Sequence, residues 1–151
     1  MPPGAADNPA PAESDPRFPS GPWTGFWMQR GLPTRPRMQV ALAFSGGKVS
    51  GSGRDAVGIF EMAGTYELVH GRCLLVKQYL GAHRVIYEGA NEGDGQWLWG
   101  VWRLPSETGG FHLWPVGEED PTQLRKRERH PNQATRRAER RRSGKRELIL
   151  P

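Results

Sequence analysis

The sequence predicts an all-β protein, an eight-stranded antiparallel up-and-down barrel over residues 21–118, and three observations carry that prediction. Glycine recurs between apolar and aromatic residues from Gly51 to Gly100, supplying the φ > 0 turns and the bends of a curling sheet. No helical periodicity interrupts this region. Eight short segments joined by tight connections would leave unpaired edges in an open meander, and closure removes them.

The elements follow in order. Residues 1–20 hold six prolines among Gly, Ala, Ser and acidic residues, a composition that reads as a disordered leader. All six tryptophans and all three tyrosines lie between 23 and 114, which marks the folded domain. The first strand is expected at 25–29. The second, 37–44, alternates Met38, Val40, Leu42 and Phe44 on one face, and Ser45-Gly46-Gly47 turns it into the third, 48–53. A loop holding Arg54 and Asp55 leads to the fourth at 59–68. The fifth and sixth, 72–79 and 83–89, are joined by Leu80-Gly81-Ala82, and the seventh and eighth are expected at 96–104 and 110–116. Residues 119–151 read as a basic flexible tail with at most a frayed helix, because like charges at i and i+4 oppose one.

At 151 residues, 36% hydrophobic and 25% charged, the chain suits one globular domain with tails. No run approaches the roughly 20 apolar residues of a spanning helix, and the opening segment lacks the apolar centre of a secretory signal. The expectation is therefore no membrane span and a cytoplasmic location. Cys73 is the single cysteine, so an internal disulfide and a zinc spacing are excluded, and the residue reads as a small buried hydrophobe. The net charge of +5 is uneven: residues 18–120 carry 9 basic and 10 acidic side chains, residues 121–151 carry 11 and 3. Anionic partners are a question for the tail alone.

Gly25-Phe26-Trp27, Val49-Ser50-Gly51-Ser52-Gly53, Met62-Ala63-Gly64-Thr65-Tyr66, the stretch Lys77 to His83, Tyr87-Glu88-Gly89 and Trp97 to Trp102 occur in the order of the strand signatures of the avidin and streptavidin family, which this chain resembles over about 23–116. The resemblance implies a calycin-type barrel with an interior ligand, but not biotin. The family's ligand-walling tryptophan before the Lys-x-x-Tyr motif is Val76 here, and the motif is one residue shorter. The first loop has no clear match to the family's ureido-binding groups, and Phe111 to Trp114 offers no counterpart of its final-strand Asp.

Read directly, Lys77, Tyr79, His83, Val85 and Tyr87 share one parity around a turn. Alternation sends them to a common face if the turn keeps register. Such a face suits a polar or planar ligand between aromatic walls, and equally a hydrogen-bonded plug. The candidate ligand-binding set is Tyr79, His83 and Tyr87 as polar readers, Asp55 as a rim acid, and Trp99 and Trp102 as walls. Those two tryptophans have opposite parity, so both face inward only if a bulge sits at Gly100. No catalytic motif, metal spacing or cofactor fingerprint is recognised; His83 with Asp55 or Tyr87 is the pairing acid–base chemistry would use. Two functional readings stay open. One is a barrel that binds a small molecule inside. The other is a scaffold whose tail, through Arg125, Lys126, Arg127, Arg136, Arg137, Arg140, Arg141 and Arg142, binds nucleic acid or an acidic protein partner. Homo-oligomerisation through the barrel wall is open under both.

Overall fold

The computed structural model describes residues 10–92 and 95–123. Eight strands, β1 (Gly21–Gln29), β2 (Arg37–Ser45), β3 (Lys48–Asp55), β4 (Ile59–Tyr66), β5 (Arg72–Tyr79), β6 (Arg84–Asn91), β7 (Leu98–Arg103) and β8 (Thr108–Pro115), follow in chain order. Each pairs antiparallel with its sequence neighbour, and β1 closes on β8 into a barrel.

Strand ends differ from the sequence reading where ladder pairing decides them. β1 starts at Gly21, opposite Leu42. β3 continues to Asp55, opposite Met38, so Arg54 and Asp55 belong to the sheet and not to a loop. β4 stops at Tyr66 because the Glu67 carboxylate accepts the amides of His70 and Arg72 and folds the chain back. β6 runs on to Asn91 and β7 starts at Leu98, opposite each other.

The β2–β3 connection is a two-residue turn with φ of 57° at Gly46 and 81° at Gly47, the paired left-handed conformation that matches strand twist and that glycine adopts without strain. Curvature comes from inward glycines. Gly100 faces Gly89 across β6 and β7, and a Cβ on Gly100 would lie 2.0 Å from the Glu88 carbonyl oxygen. The wall bends there because no side chain separates the two backbones. Gly100→Ala must push β6 and β7 apart, and its expected cost is at least about 1–3 kcal/mol, read by urea unfolding. A loss indistinguishable from that of an exposed Ala substitution would contradict this role.

Alternation sorts the interior into two ends. Around the start of β1, Trp23, Phe44, Tyr66, Leu98 and Leu113 fill the barrel with apolar and aromatic groups. The other end, where β1 finishes, is flanked by the connections 30–36, 56–58, 80–83 and 104–107.

Residues 10–20 correct the expectation of a disordered leader. They close the first end. Phe18 is fully buried, its ring 5.3 Å from that of Phe44 and 4.9 Å from that of Tyr66. Backbone partners fix the segment: Asn91 Nδ2 donates to the Arg17 carbonyl at 2.6 Å, and Trp23 Nε1 donates to the Pro19 carbonyl at 2.9 Å. The Tyr66 hydroxyl donates to Glu13 at 2.6 Å, and Ala12 bridges Ser45. Proline-rich composition hid this because one large aromatic anchor and a few backbone contacts suffice to order a short segment over an existing barrel end. Residues 1–9 and 124–151 lie outside the described residues.

A second apolar cluster sits outside the barrel. Phe26, Met28 and Trp114 are buried on the outer face of β1 and β8. Arg35 lies 5.4 Å from the Phe26 ring and Arg37 5.7 Å from that of Trp114, cation–π contacts at the patch.

Candidate functional site

Under the end opposite Phe18, an ion pair is sealed from water. Lys77 on β5 and Asp55 at the end of β3 have side chains 0% exposed, and Lys77 Nζ donates to Asp55 Oδ2 at 2.5 Å. Strand position explains the meeting. Lys77 stands opposite Met62 on β4, itself opposite Gly51 on β3, and Asp55 ends that strand four residues farther on, so the long Lys77 side chain reaches along the interior to meet it.

Aromatic groups complete the surroundings. Nζ lies 4.3, 4.9 and 5.2 Å from the ring centres of Phe60, Tyr79 and Tyr87, so π faces offset part of the ammonium's lost hydration. It also donates to the Tyr87 hydroxyl at 3.1 Å and approaches Met38 Sδ at 3.8 Å. On the carboxylate, Oδ2 accepts from Lys77, from the Tyr79 hydroxyl at 2.6 Å and from Trp27 Nε1 at 3.3 Å. Oδ1 accepts the amides of Val57 at 2.9 Å and Gly58 at 3.3 Å. Five donors thus converge on a group with about four acceptor positions.

The electrostatics follow from these contacts. Burial raises the Asp55 carboxyl, but the hydrogen bonds from Lys77 and Tyr79 outweigh it and hold the group below its usual range. Burial lowers the Lys77 ammonium, opposed by the hydrogen bond and charge of Asp55. Burial, reinforced by the Asp55 carboxylate, holds the phenols of Tyr79 and Tyr87 far above 10.0, and burial with a bond to Glu13 pushes Tyr66 up to about 12. Groups whose folded pKa is raised contribute stability below the unfolded value and lose it as pH rises past it. All three tyrosines of the chain are of this kind. Phenolate absorbance is therefore expected to stay absent through pH 10 and to appear together with unfolding. Reversible ionisation of a tyrosine near pH 10 in the folded protein would contradict the burial described.

Of the six residues expected to bind a ligand, the fold brings together four. Tyr79 and Tyr87 point inward, as does Trp102, whose Nε1 donates to the Met28 carbonyl and whose ring meets Trp27 edge-on at 6.2 Å. Asp55 is present, but as a buried partner of Lys77 and not a rim acid. His83 is exposed outside the strand, with its ring 5.0 Å from that of Tyr79, because the turn at 80–83 ends the alternation. Trp99 faces outward: β6 and β7 pair without a bulge at Gly100, so alternation assigns Trp102 alone to the interior. The eight basic residues of the tail lie outside the described residues.

Two contributors were not in the expected set. Lys77 shares parity with Tyr79, and that signal was available; a lysine in a strand is ordinarily solvated. Trp27 gave no clear signal, because Phe26 and Met28 on either side are also apolar and hide which face is inside.

No family model, curated protein or solved structure matches this chain. The closed eight-stranded barrel is compatible with a calycin-like fold. Among the described residues, no three His, Cys, Asp or Glu side chains come together to hold a metal ion, and no helix is long and apolar enough to cross a membrane.

Proposed function

We propose that this protein is a small-molecule-binding barrel of avidin-like or lipocalin-like type, with its ligand seated at the end above the Lys77–Asp55 pair. The observation that carries the reading is the asymmetry of the two ends. One end is filled with apolar and aromatic groups and closed by Phe18, while the other keeps a desolvated charge pair and two tyrosine hydroxyls. A buried ion pair is often no more stable than apolar residues of the same volume, so stability alone does not account for it. Perturbed ionisable groups gathered at one end of a barrel are a marker of a site.

The chemistry narrows the ligand class. Because five donors share one carboxylate, the most weakly held among the side chains, the Trp27 indole N–H at 3.3 Å, is available for exchange. An oxygen acceptor, a carbonyl or carboxylate, would take that donor and the Tyr79 hydroxyl while Lys77 keeps Asp55 neutralised. Trp27, Tyr79 and His83 offer rings to a planar body, and exposed Leu32, Val57 and Leu80 give the surrounding connections an apolar fringe. The favoured ligand is planar, mostly apolar and carries an acceptor oxygen.

Thermal-shift screening of the full chain against planar carboxylates and heteroaromatic carbonyl compounds tests this. The expected hits lose binding by about tenfold or more on Tyr79→Phe or Trp27→Phe, the effect of about 1.4 kcal/mol from one lost polar contact. They keep it on Trp99→Phe. Hits indifferent to Tyr79 and Trp27 would overturn the assignment.

A further inference from the structure

The two ends of the barrel differ in their outer rims as well as in their interiors. At the end above the Lys77–Asp55 pair, Leu32, Val57 and Leu80 come from three of the four connections, with Ile59 beside them at the start of β4. In chain order these four residues are 39, 52, 61 and 79% exposed. The Leu80 amide donates to the Ile59 carbonyl at 2.9 Å, which holds the 80–83 connection against β4. Single apolar side chains on a surface need no explanation, but three connections that each present an aliphatic group at one rim make a patch that is costly to leave in water.

Positive charge surrounds this patch. Arg30, Arg35, Arg37, Arg54 and Arg84 are exposed on the same connections and strand ends. Asp55 is neutralised by Lys77, and among the described residues the other carboxylate at this rim is Glu107, which accepts from Gln29 Nε2 at 3.0 Å. The opposite end also exposes aliphatic groups, Leu68, Val69 and Val116, but beside Glu67, Glu118, Glu119 and Asp120. Arginines thus ring the apolar patch at one end of the axis, and carboxylates are in excess at the other. An anionic bilayer surface fits the first end. Aliphatic groups gain by entering the boundary between headgroups and acyl chains, arginines reach the phosphates around them, and the negative surface potential draws in the basic end and repels the acidic one. A nucleic acid would satisfy the arginines but leave the aliphatic groups against charged phosphates.

We propose that this rim docks on anionic lipid bilayers, with Leu32, Val57 and Leu80 in the boundary between headgroups and acyl chains and Arg30, Arg54 and Arg84 against lipid phosphates. Docking turns the end over Lys77 and Asp55 towards the membrane. It rests on the rim residues and not on the ligand reading of the site beneath.

Nitroxide accessibility in the full chain tests it. One label is attached through Ala56→Cys at the rim and, in a second protein, through Val69→Cys at the opposite end; Cys73 does not interfere, because it is buried and its thiol is pushed up to about 12. The segment 124–151, with 11 basic and 3 acidic residues, is able to hold the same vesicles by charge, so the readout is immersion of the label and not sedimentation of the chain. On vesicles of phosphatidylserine and phosphatidylcholine in equal parts, the Ala56 label should become accessible to oxygen dissolved in the bilayer and shielded from a water-soluble nickel chelate, while the Val69 label stays in water. Changing Arg30, Arg54 and Arg84 together to Glu should raise the lipid concentration for half-immersion at least about tenfold, since one arginine near the surface contributes about fivefold. Changing Leu32, Val57 and Leu80 together to Ser should abolish immersion even on vesicles that retain the chain. Four results overturn the proposal: an Ala56 label that stays in water on the anionic vesicles, whether or not duplex DNA shields it; equal immersion of the two labels; equal immersion on phosphatidylcholine alone; or immersion unchanged in either triple variant.

Discussion

Asp55→Leu should lower the unfolding free energy by about 3–5 kcal/mol at neutral pH, the cost of leaving one partner of a buried ion pair without the other. Lys77 would then face Phe60, Tyr79 and Tyr87 with no counter-charge, and the folded state would favour its neutral amine. Its folded pKa, already lowered by burial, falls further. The unfolded chain then holds one more proton than the folded one between that value and about 10.4, so the variant regains stability as pH rises through the window. The wild type behaves differently at the acid end. Its Asp55 contribution is present above the usual carboxylate value of 3.8 and lost as pH falls through the lowered folded value. Combining Asp55→Leu with Lys77→Met should restore most of the loss, because a well-packed apolar pair has no desolvated charge to compensate. Urea unfolding across pH reads all three proteins. A single variant as stable as wild type at pH 7 would mean that water reaches Lys77.

Phe18→Ala should cost about 3–5 kcal/mol, as expected for a fully buried aromatic whose removal leaves a cavity. Its ring packs on Phe44 and Tyr66, and the backbone on either side is held by Trp23 and Asn91. Phe18→Leu, which refills most of the volume, should recover more than half of the loss. Amide exchange should rise first in residues 10–20 and in the 66–72 connection, which the Arg17 guanidinium reaches at the Leu68 carbonyl, 2.7 Å away. A loss below about 0.5 kcal/mol would put Phe18 among surface positions.

Strand number, order and direction were legible because turn glycines and apolar alternation are local signals. β2 alternates cleanly, and the structure repeats that pattern residue for residue. β1 and β8 do not alternate, because Phe26, Met28 and Trp114 bury a second face outside the barrel. The site was legible in its fifth and sixth strands alone. Parity placed Lys77, Tyr79 and Tyr87 on one face, but Asp55 was assigned to a loop, since its strand character comes from pairing with Met38, far away in sequence. Trp99 was misjudged for a related reason: only the pairing of β7 with β6 says which of two tryptophans lies inside. The closing segment at 10–20 was invisible to composition because its order depends on a barrel end that must already exist.

Native mass spectrometry of freshly purified full-length protein tests the central claim most directly. The account expects a small-molecule adduct on the wild-type chain that disappears in the Trp27→Phe, Tyr79→Phe double variant while the fold is retained. A wild-type chain at its bare mass, or an adduct that survives in the double variant, would contradict a ligand seated above Lys77 and Asp55.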